Sequence, residues 1–206
     1  MTLPNESRDR YALSFTCGSL LTREADIAVP LYMESADWNV VRMQIIKKNL
    51  FQTRTASSAV RFASETVQRL AVFTPTELQL LHEASPNERN LLMWIAACRR
   101  YAFIAEFAEE IVRERYLLLT STLGYGEFDS FVNGKSLWHP ELDQLKISTR
   151  KKLRSTLFRM LTEAGLLVDG HIQQAVPSER IRDALDVREP SDIRFLPVRA
   201  SKEISS

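Results

Sequence analysis

The chain is poor in the residues from which recognisable catalytic and metal sites are usually built. Only two cysteines, three histidines and six glycines occur in 206 residues. Cys17 and Cys98 stand in apolar stretches without metal-ligand spacing, so the expectation is buried thiols in a reducing compartment, not a disulfide or a zinc site. His82, His139 and His171 lie far apart, and each reads as a surface or capping histidine. The glycines form no nucleophile elbow, no phosphate-cradling loop and no dinucleotide fingerprint. Glu109 and Glu110 are adjacent and therefore on different helix faces, which excludes them as a carboxylate pair. A divergent metal nuclease built on Glu127, Asp129 or Glu141 stays open; the expected reading is a non-enzymatic protein with no cofactor and no metal.

Long apolar runs are missing as well. Tyr11 to Thr22 and Leu117 to Gly126 are uncharged but far shorter than the roughly 20 apolar residues of a spanning helix. Leu91 to Cys98 ends at Arg99 and Arg100, and Met1 to Arg10 is too polar for a signal peptide. A cytoplasmic protein without a membrane span is expected. An excess of one charge is also absent, since 27 basic residues face 26 acidic ones for a net charge of +1. Any affinity for nucleic acid must therefore come from segregated patches.

Such patches are present. From Arg42 to Arg69 the chain carries Arg42, Lys47, Lys48, Arg54, Arg61 and Arg69 against Glu65 alone, while Glu77 to Glu88 and Glu106 to Glu114 are acid-rich. A hydrophobic content of 45% is ample for a core. The pattern is that of an all-α, mainly helical fold made of compact helical lobes, with helix-turn-helix and winged-helix-like elements and one short β-hairpin wing. Residues 1–73 form an N-terminal helical lobe with a possible helix-turn-helix. Residues 74–206 form a C-terminal lobe with the winged-helix-like element at 148–176.

In chain order, Leu20 to Met33 has helical character but should kink or break near Ala28 or Val29, ahead of Pro30. Asp37 is an N-cap candidate for a helix reaching Lys48. A polar connection, Asn49 to Thr55, leads into a helix over Ser57 to Leu70 with Val60, Ala63, Val67 and Leu70 in register. Arg54, Ser57, Ser58 and Arg61 at its start make a possible second helix-turn-helix, although Arg61, Glu65 and Arg69, spaced by four, also describe a solvated ion ladder, the stronger of the two readings. Thr74-Pro75-Thr76-Glu77 and Ser85-Pro86-Asn87-Glu88 are capping boxes with Pro at the first helical position. The second opens a long apolar element, Leu91 to Ile111, read as a buried central helix or a tightly packed pair. A short helix over Glu127 to Asn133 is stopped by Gly134, and another starts at Pro140. Ser178 to Leu185 is a last short helix, and Pro190 onward reads as an extended, partly mobile tail.

The organising stretch is Ser148 to Ile172. Leu153, Leu157, Met160, Leu161 and Ala164 share one helix face, Ser148 is a candidate N-cap, and Gly165 supplies the stop. Asp169-Gly170 is a preferred pair for a tight hairpin turn between Leu166–Val168 and His171–Ile172. The outer face offers Lys151, Lys152, Ser155, Arg159 and Thr162, with Thr149 near its start and Arg150 and Arg154 flanking the apolar stripe. No acidic residue interrupts Gln144 to Thr162. Cations that neutralise phosphates, hydroxyls that donate and an Arg that can read guanine suit a duplex groove. A basic amphipathic helix also occurs on ordinary surfaces and at partner interfaces.

Trp38 to Arg42, Asn49-Leu50 with Thr53 to Thr55, Arg61, Glu65, Arg69-Leu70, Phe131, Lys135, Trp138, Ser148-Thr149-Arg150 and Lys152-Leu153-Arg154 together resemble the BrxA family of bacteriophage exclusion (BREX) systems. The resemblance spans roughly Leu20 to Val168. It implies a small, all-helical, non-enzymatic component of a phage-defence system that binds DNA and acts with methyltransferase, ATPase and phosphatase-like partners. Some members carry an inner-membrane label, from which this sequence departs. The combined expectation is double-stranded DNA binding through Thr149, Arg150, Lys151, Lys152, Arg154, Ser155 and Arg159, with Arg54, Ser57 and Arg61 auxiliary. The alternative is a helical adaptor that uses the same helix on an acidic protein partner, or on RNA in the manner of antitermination factors.

Overall fold

Eight consecutive residues, Leu91 to Cys98, are all buried, and that stretch is the centre of the molecule. The computed structural model describes residues 10–199. Within the central helix α5 (Pro86–Arg100), the stretch Leu91–Cys98 is apolar on every face, so it must be enclosed by other elements, while the first turn is polar. On it pack α1 (Thr22–Ser35), α3 (Ala56–Leu70), α4 (Pro75–His82), α6 (Ala102–Phe107) and α10 (Ile147–Glu163), together with a 3-10 turn at Asp192–Phe195. Helix α2 (Trp38–Lys48) covers α1 and α3. The remaining elements are α7 (Glu114–Leu117), α8 (Tyr125–Lys135), α9 (Pro140–Asp143), α11 (Glu179–Asp186) and the strands β1 (Leu167–Val168) and β2 (His171–Ile172). The apolar core runs without interruption from Tyr11 through the three N-terminal helices to Val198.

Local chemistry sets most boundaries. Asp37 caps α2 by accepting from the Asn39 N–H at 2.7 Å, and Thr55 caps α3 through the Ser58 N–H at 3.1 Å. Both expected capping boxes form, on α4 and α5. The end of α10 is a Schellman motif: Gly165 takes φ +72°, its N–H donates to Thr162 O, and the Leu166 N–H donates to Leu161 O. Asp169 and Gly170 both have positive φ, so β1 and β2 join through a mirror-image turn that pairs Leu167 with Ile172 and Val168 with His171. A third segment borders this hairpin, with the Ile172 N–H donating to Ser121 O and the Leu123 N–H to Gly170 O.

Several expectations are corrected. Helix α1 continues through Pro30 because Ala25, Ala28 and Val29 anchor it in the core; the carbonyl that Pro30 leaves without a helical donor belongs to exposed Asp26. Helix α10 begins at Ile147 with Lys146 at its N-cap, so Ser148 is inside the first turn and not the cap. Gly134 lies within α8, which ends at Lys135 with Ser136 as its C-cap, and Val60 faces outward. Of the two readings of the long apolar element, the packed pair is the one that holds, broken where Tyr101 adopts extended backbone; a π-helical turn, Ala108–Arg113, then follows α6. Residues 190–199 are docked, not a loose tail: Trp94 Nε1 donates to Phe195 O at 3.0 Å, and Asp192 is buried against Arg99. The rest of that expected tail lies outside the described residues, as do the first nine residues of the opening stretch read for a signal peptide.

Candidate nucleic-acid interface

Helix α10 has 17 residues, about 25 Å of axis at 1.5 Å per residue. Its predicted stripe of Leu153, Leu157, Met160, Leu161 and Ala164 is buried, and burial extends further to Thr156 and Phe158. The opposite face leaves Ser148, Thr149, Lys151, Lys152, Ser155, Arg159 and Thr162 exposed. Arg159 reaches back to donate to Gly18 O at 3.3 Å, which ties this face to the segment that precedes α1.

The cations of α10 divide into two kinds. Arg150 and Arg154 both pair with Asp129 of α8, at 3.3 and 2.6 Å. Arg150 also donates to Asp129 O and Asn133 Oδ1, and Arg154 stacks on the Tyr125 ring. Their charge is locally compensated and their geometry fixed, so these two residues join α10 to α8. Lys146, Lys151 and Lys152 have no carboxylate partner among the described residues.

The second group of candidates repeats the pattern. Asn49, in left-handed conformation, accepts from the Thr53 N–H and hydroxyl and donates to Thr53 O, which fixes the turn between α2 and α3. That turn leaves Arg54, Ser57 and Arg61 exposed, and neither arginine has a carboxylate partner among the described residues. The anticipated solvated ladder of Arg61, Glu65 and Arg69 does not form. Glu65 is buried and its Oε1 takes Arg69 Nε at 2.7 Å, while the guanidinium of Arg69, 0% exposed, also donates to Ser19 O. The Tyr101 hydroxyl donates to the same carboxylate, and burial together with Glu65 pushes its pKa up to about 12.

The two groups meet. Arg61 and Ser64 of α3, Lys152 of α10, and Ser14, Thr16 and Cys17 line one groove. Cys17 is therefore half-buried beside cations and hydroxyls, unlike Cys98, which is enclosed as expected and whose thiol is pushed up by burial. The hairpin contributes shape and no cation, since its tip is Asp169-Gly170 and Val168 and His171 are its exposed residues.

Other contacts escaped the sequence reading because their partners are distant in the chain. His139 stacks on Tyr11 and pairs with Glu141, which also accepts the Tyr11 N–H; burial opposes ionisation of Glu141, but these bonds hold its carboxyl below the usual range. Arg99 binds Glu77 and Asp192, both buried. The possible nuclease carboxylates are occupied structurally: Glu127 accepts the Gly124 N–H at the start of α8, Asp129 holds two arginines, and Glu141 holds Tyr11. Among the described residues no three His, Cys, Asp or Glu side chains cluster in a metal-binding arrangement, and no helix is long and apolar enough to cross a membrane.

The family model of BrxA matches residues 9–189. The chain belongs to the BrxA family. The BREX protein BrxA of Escherichia coli O9:H4 (strain HS) is 26% identical over 148 residues, covering 72% of this chain and 70% of that protein. The BREX protein BrxA of Paramagnetospirillum magneticum (strain ATCC 700264 / AMB-1) is 24% identical over 160 residues, covering 78% and 80%. A crystal structure of an uncharacterized protein from Magnetospirillum magneticum superposes with a TM-score of 0.80 at 22% identity, covering 91% of this chain and 99% of that one. The fold is thus shared with that structure over nearly the whole length, and α3, α10 and the hairpin lie inside the span matched by the family model.

Proposed function

We propose that this BrxA-family chain is a non-enzymatic, cytoplasmic component of a bacteriophage exclusion (BREX) system that binds double-stranded DNA, with α10 as the principal contact and the start of α3 as a second. One observation carries the reading. Arg42, Lys47, Lys48, Arg54, Arg61, Lys146, Lys151 and Lys152 lack a carboxylate partner among the described residues, and they lie on α2, α3, the turn between them and α10. Elsewhere Arg89, Arg99, Arg115, Lys135 and Arg180 are ion-paired, while Arg23 and Arg100 donate to the neutral side chains of Gln52 and Gln68. A polyanion is attracted by uncompensated cations, so a net charge of +1 is no obstacle.

The order of elements supports the same reading. Strand-like Ser121–Leu123, α8, the one-turn α9, α10 and the hairpin come in that order, similar to the strand, helices and wing of a winged helix, in which the helix before the wing enters the major groove. Family membership supports a place beside methyltransferase, ATPase and phosphatase-like partners of such a system. The test is duplex binding by the purified protein alone, followed by fluorescence anisotropy across salt with single-stranded DNA and RNA as competitors. Lys151→Ala with Arg159→Ala should lower the slope of log affinity against log salt by about two, at roughly 0.9 per phosphate. Unchanged affinity and slope in the folded variant would remove α10 from the interface.

A second reading has its own observation. Leu137 and Trp138 in the α8–α9 turn and Ile147 at the start of α10 are all at least three-quarters exposed, at 79%, 81% and 77%. Exposed large apolar residues suit a protein partner, so a helical adaptor moves ahead if duplex DNA is not retained and a BREX partner is.

A further inference from the structure

The groove between α3 and α10 has a volume of about 460 Å³ and contains one carboxylate, Glu65. That carboxylate is neutralised from beneath. Arg69 and the Tyr101 hydroxyl both bind it from within the core, and Arg69, being 0% exposed, can serve no ligand outside. Its polar lining toward solvent includes Arg61 from one wall and Lys152 from the other, neither with a carboxylate partner among the described residues, and the hydroxyls of Ser14, Thr16 and Ser64, with Val60, Gln68 and Cys17 completing the walls. Two cations with hydroxyl donors around them, on a floor whose own charge is cancelled, match a tetrahedral oxyanion.

We propose that this groove seats one backbone phosphate of the same duplex that α10 contacts, so that α3 and α10 hold a single nucleic acid at one composite site. The inference rests on the DNA-binding reading and goes beyond it by placing both groups of cations on one ligand. Arg61 is one helical turn from Ser57 on α3, and Lys152 is beside Lys151 and one turn from Ser155 on α10, so the groove lies between two exposed polar strips. A backbone phosphate there bridges them. Arg61 supplies a planar fork, Lys152 a mobile point charge.

The experiment is a double-mutant cycle read as salt slope. Arg61→Ala, Lys152→Ala and the double variant are titrated with one duplex by anisotropy, beside Lys151→Ala/Arg159→Ala as reference. If both cations clamp one phosphate, the double variant should lower the slope by about 0.9, the value for one phosphate, and neither single change should exceed that, because the remaining cation still faces the phosphate. Arg61→Lys and Lys152→Arg keep the charge and should retain the slope. A loss of about 1.8 in the double variant, the value for two phosphates, would assign the cations to separate phosphates and overturn the proposal. Unchanged slopes in the groove variants with a reduced slope in the reference would also overturn it, while leaving DNA binding by α10 intact. Absence of duplex binding by the unaltered protein would overturn both readings. Both side chains are exposed, so thermal melting of each variant should match the parent and exclude loss of fold as the cause.

Discussion

Asp129 holds back two of the arginines on α10, and replacing it with asparagine should strengthen DNA binding. In the native protein its carboxylate pairs with Arg150 at 3.3 Å and Arg154 at 2.6 Å, with relative side-chain exposures of 40% for Asp129, 29% for Arg150 and 19% for Arg154. At that exposure solvent screens the pairs, and their loss should cost no more than about 1 kcal/mol. For a chain of this size, that is a fall of about 2–4 °C in melting temperature. Arg150 keeps Asp129 O and Asn133 Oδ1, and Arg154 keeps the Tyr125 ring, so both side chains should stay in place. Binding changes by another route. A carboxylate about 8 Å from a phosphate repels it by roughly 0.5 kcal/mol in water, so removing that repulsion from one or two phosphates should raise affinity about two- to fivefold at low salt. The gain should shrink towards unity as salt rises to physiological strength, where the Debye length is about 8 Å. Anisotropy titrations of Asp129→Asn against the parent, with circular dichroism to verify helicity, measure this directly. Equal or weaker binding by the folded variant would show that the α8-facing edge of α10 is turned away from the duplex.

Other consequences concern stability. Leu157→Ala removes a fully buried side chain from α10 and should destabilise the fold by roughly 2–5 kcal/mol in urea denaturation; a change under about 0.5 kcal/mol would contradict its place in the core. Arg99→Met leaves buried Glu77 and Asp192 without their shared cation and should cost about 3–5 kcal/mol, again by urea midpoint, with a neutral result refuting the buried triad. Acid should weaken the fold. Burial favours the neutral form of Glu77, but hydrogen bonds from Arg99 and Thr74 lower its pKa below 4.5, and Arg180 with Ser178 does the same for Glu88. Depressed folded-state values mean that the unfolded chain takes up protons first as pH falls. This stabilisation is therefore complete above about pH 4.5 and is lost below it. Denaturation midpoints should be nearly level between about pH 7 and 5 and drop by about pH 3; a rise on acidification would reverse the sign.

What the sequence determined alone was whatever depends on neighbours within a turn or two. Caps at Asp37, Thr74 and Ser85, the Gly165 stop, the Asp169-Gly170 turn and the buried stripe of α10 follow from interactions and backbone preferences within about four residues. A local pattern also places exposed cations on one helix face, which is why Lys151, Lys152 and Arg159 were legible as solvent-facing. Tertiary structure decided which charges remain uncompensated. Arg150 and Arg154 stand in the same basic run as Lys151 and Lys152, yet Asp129, more than 20 residues earlier, neutralises the first two. Arg61 and Arg69 are two turns apart on α3, yet one is exposed and the other is buried on Glu65 and Ser19. The groove itself joins residues from three distant stretches. Whether a cation is compensated depends on the carboxylate that packing brings within a few ångströms, and long-range packing has no period that a local pattern could record.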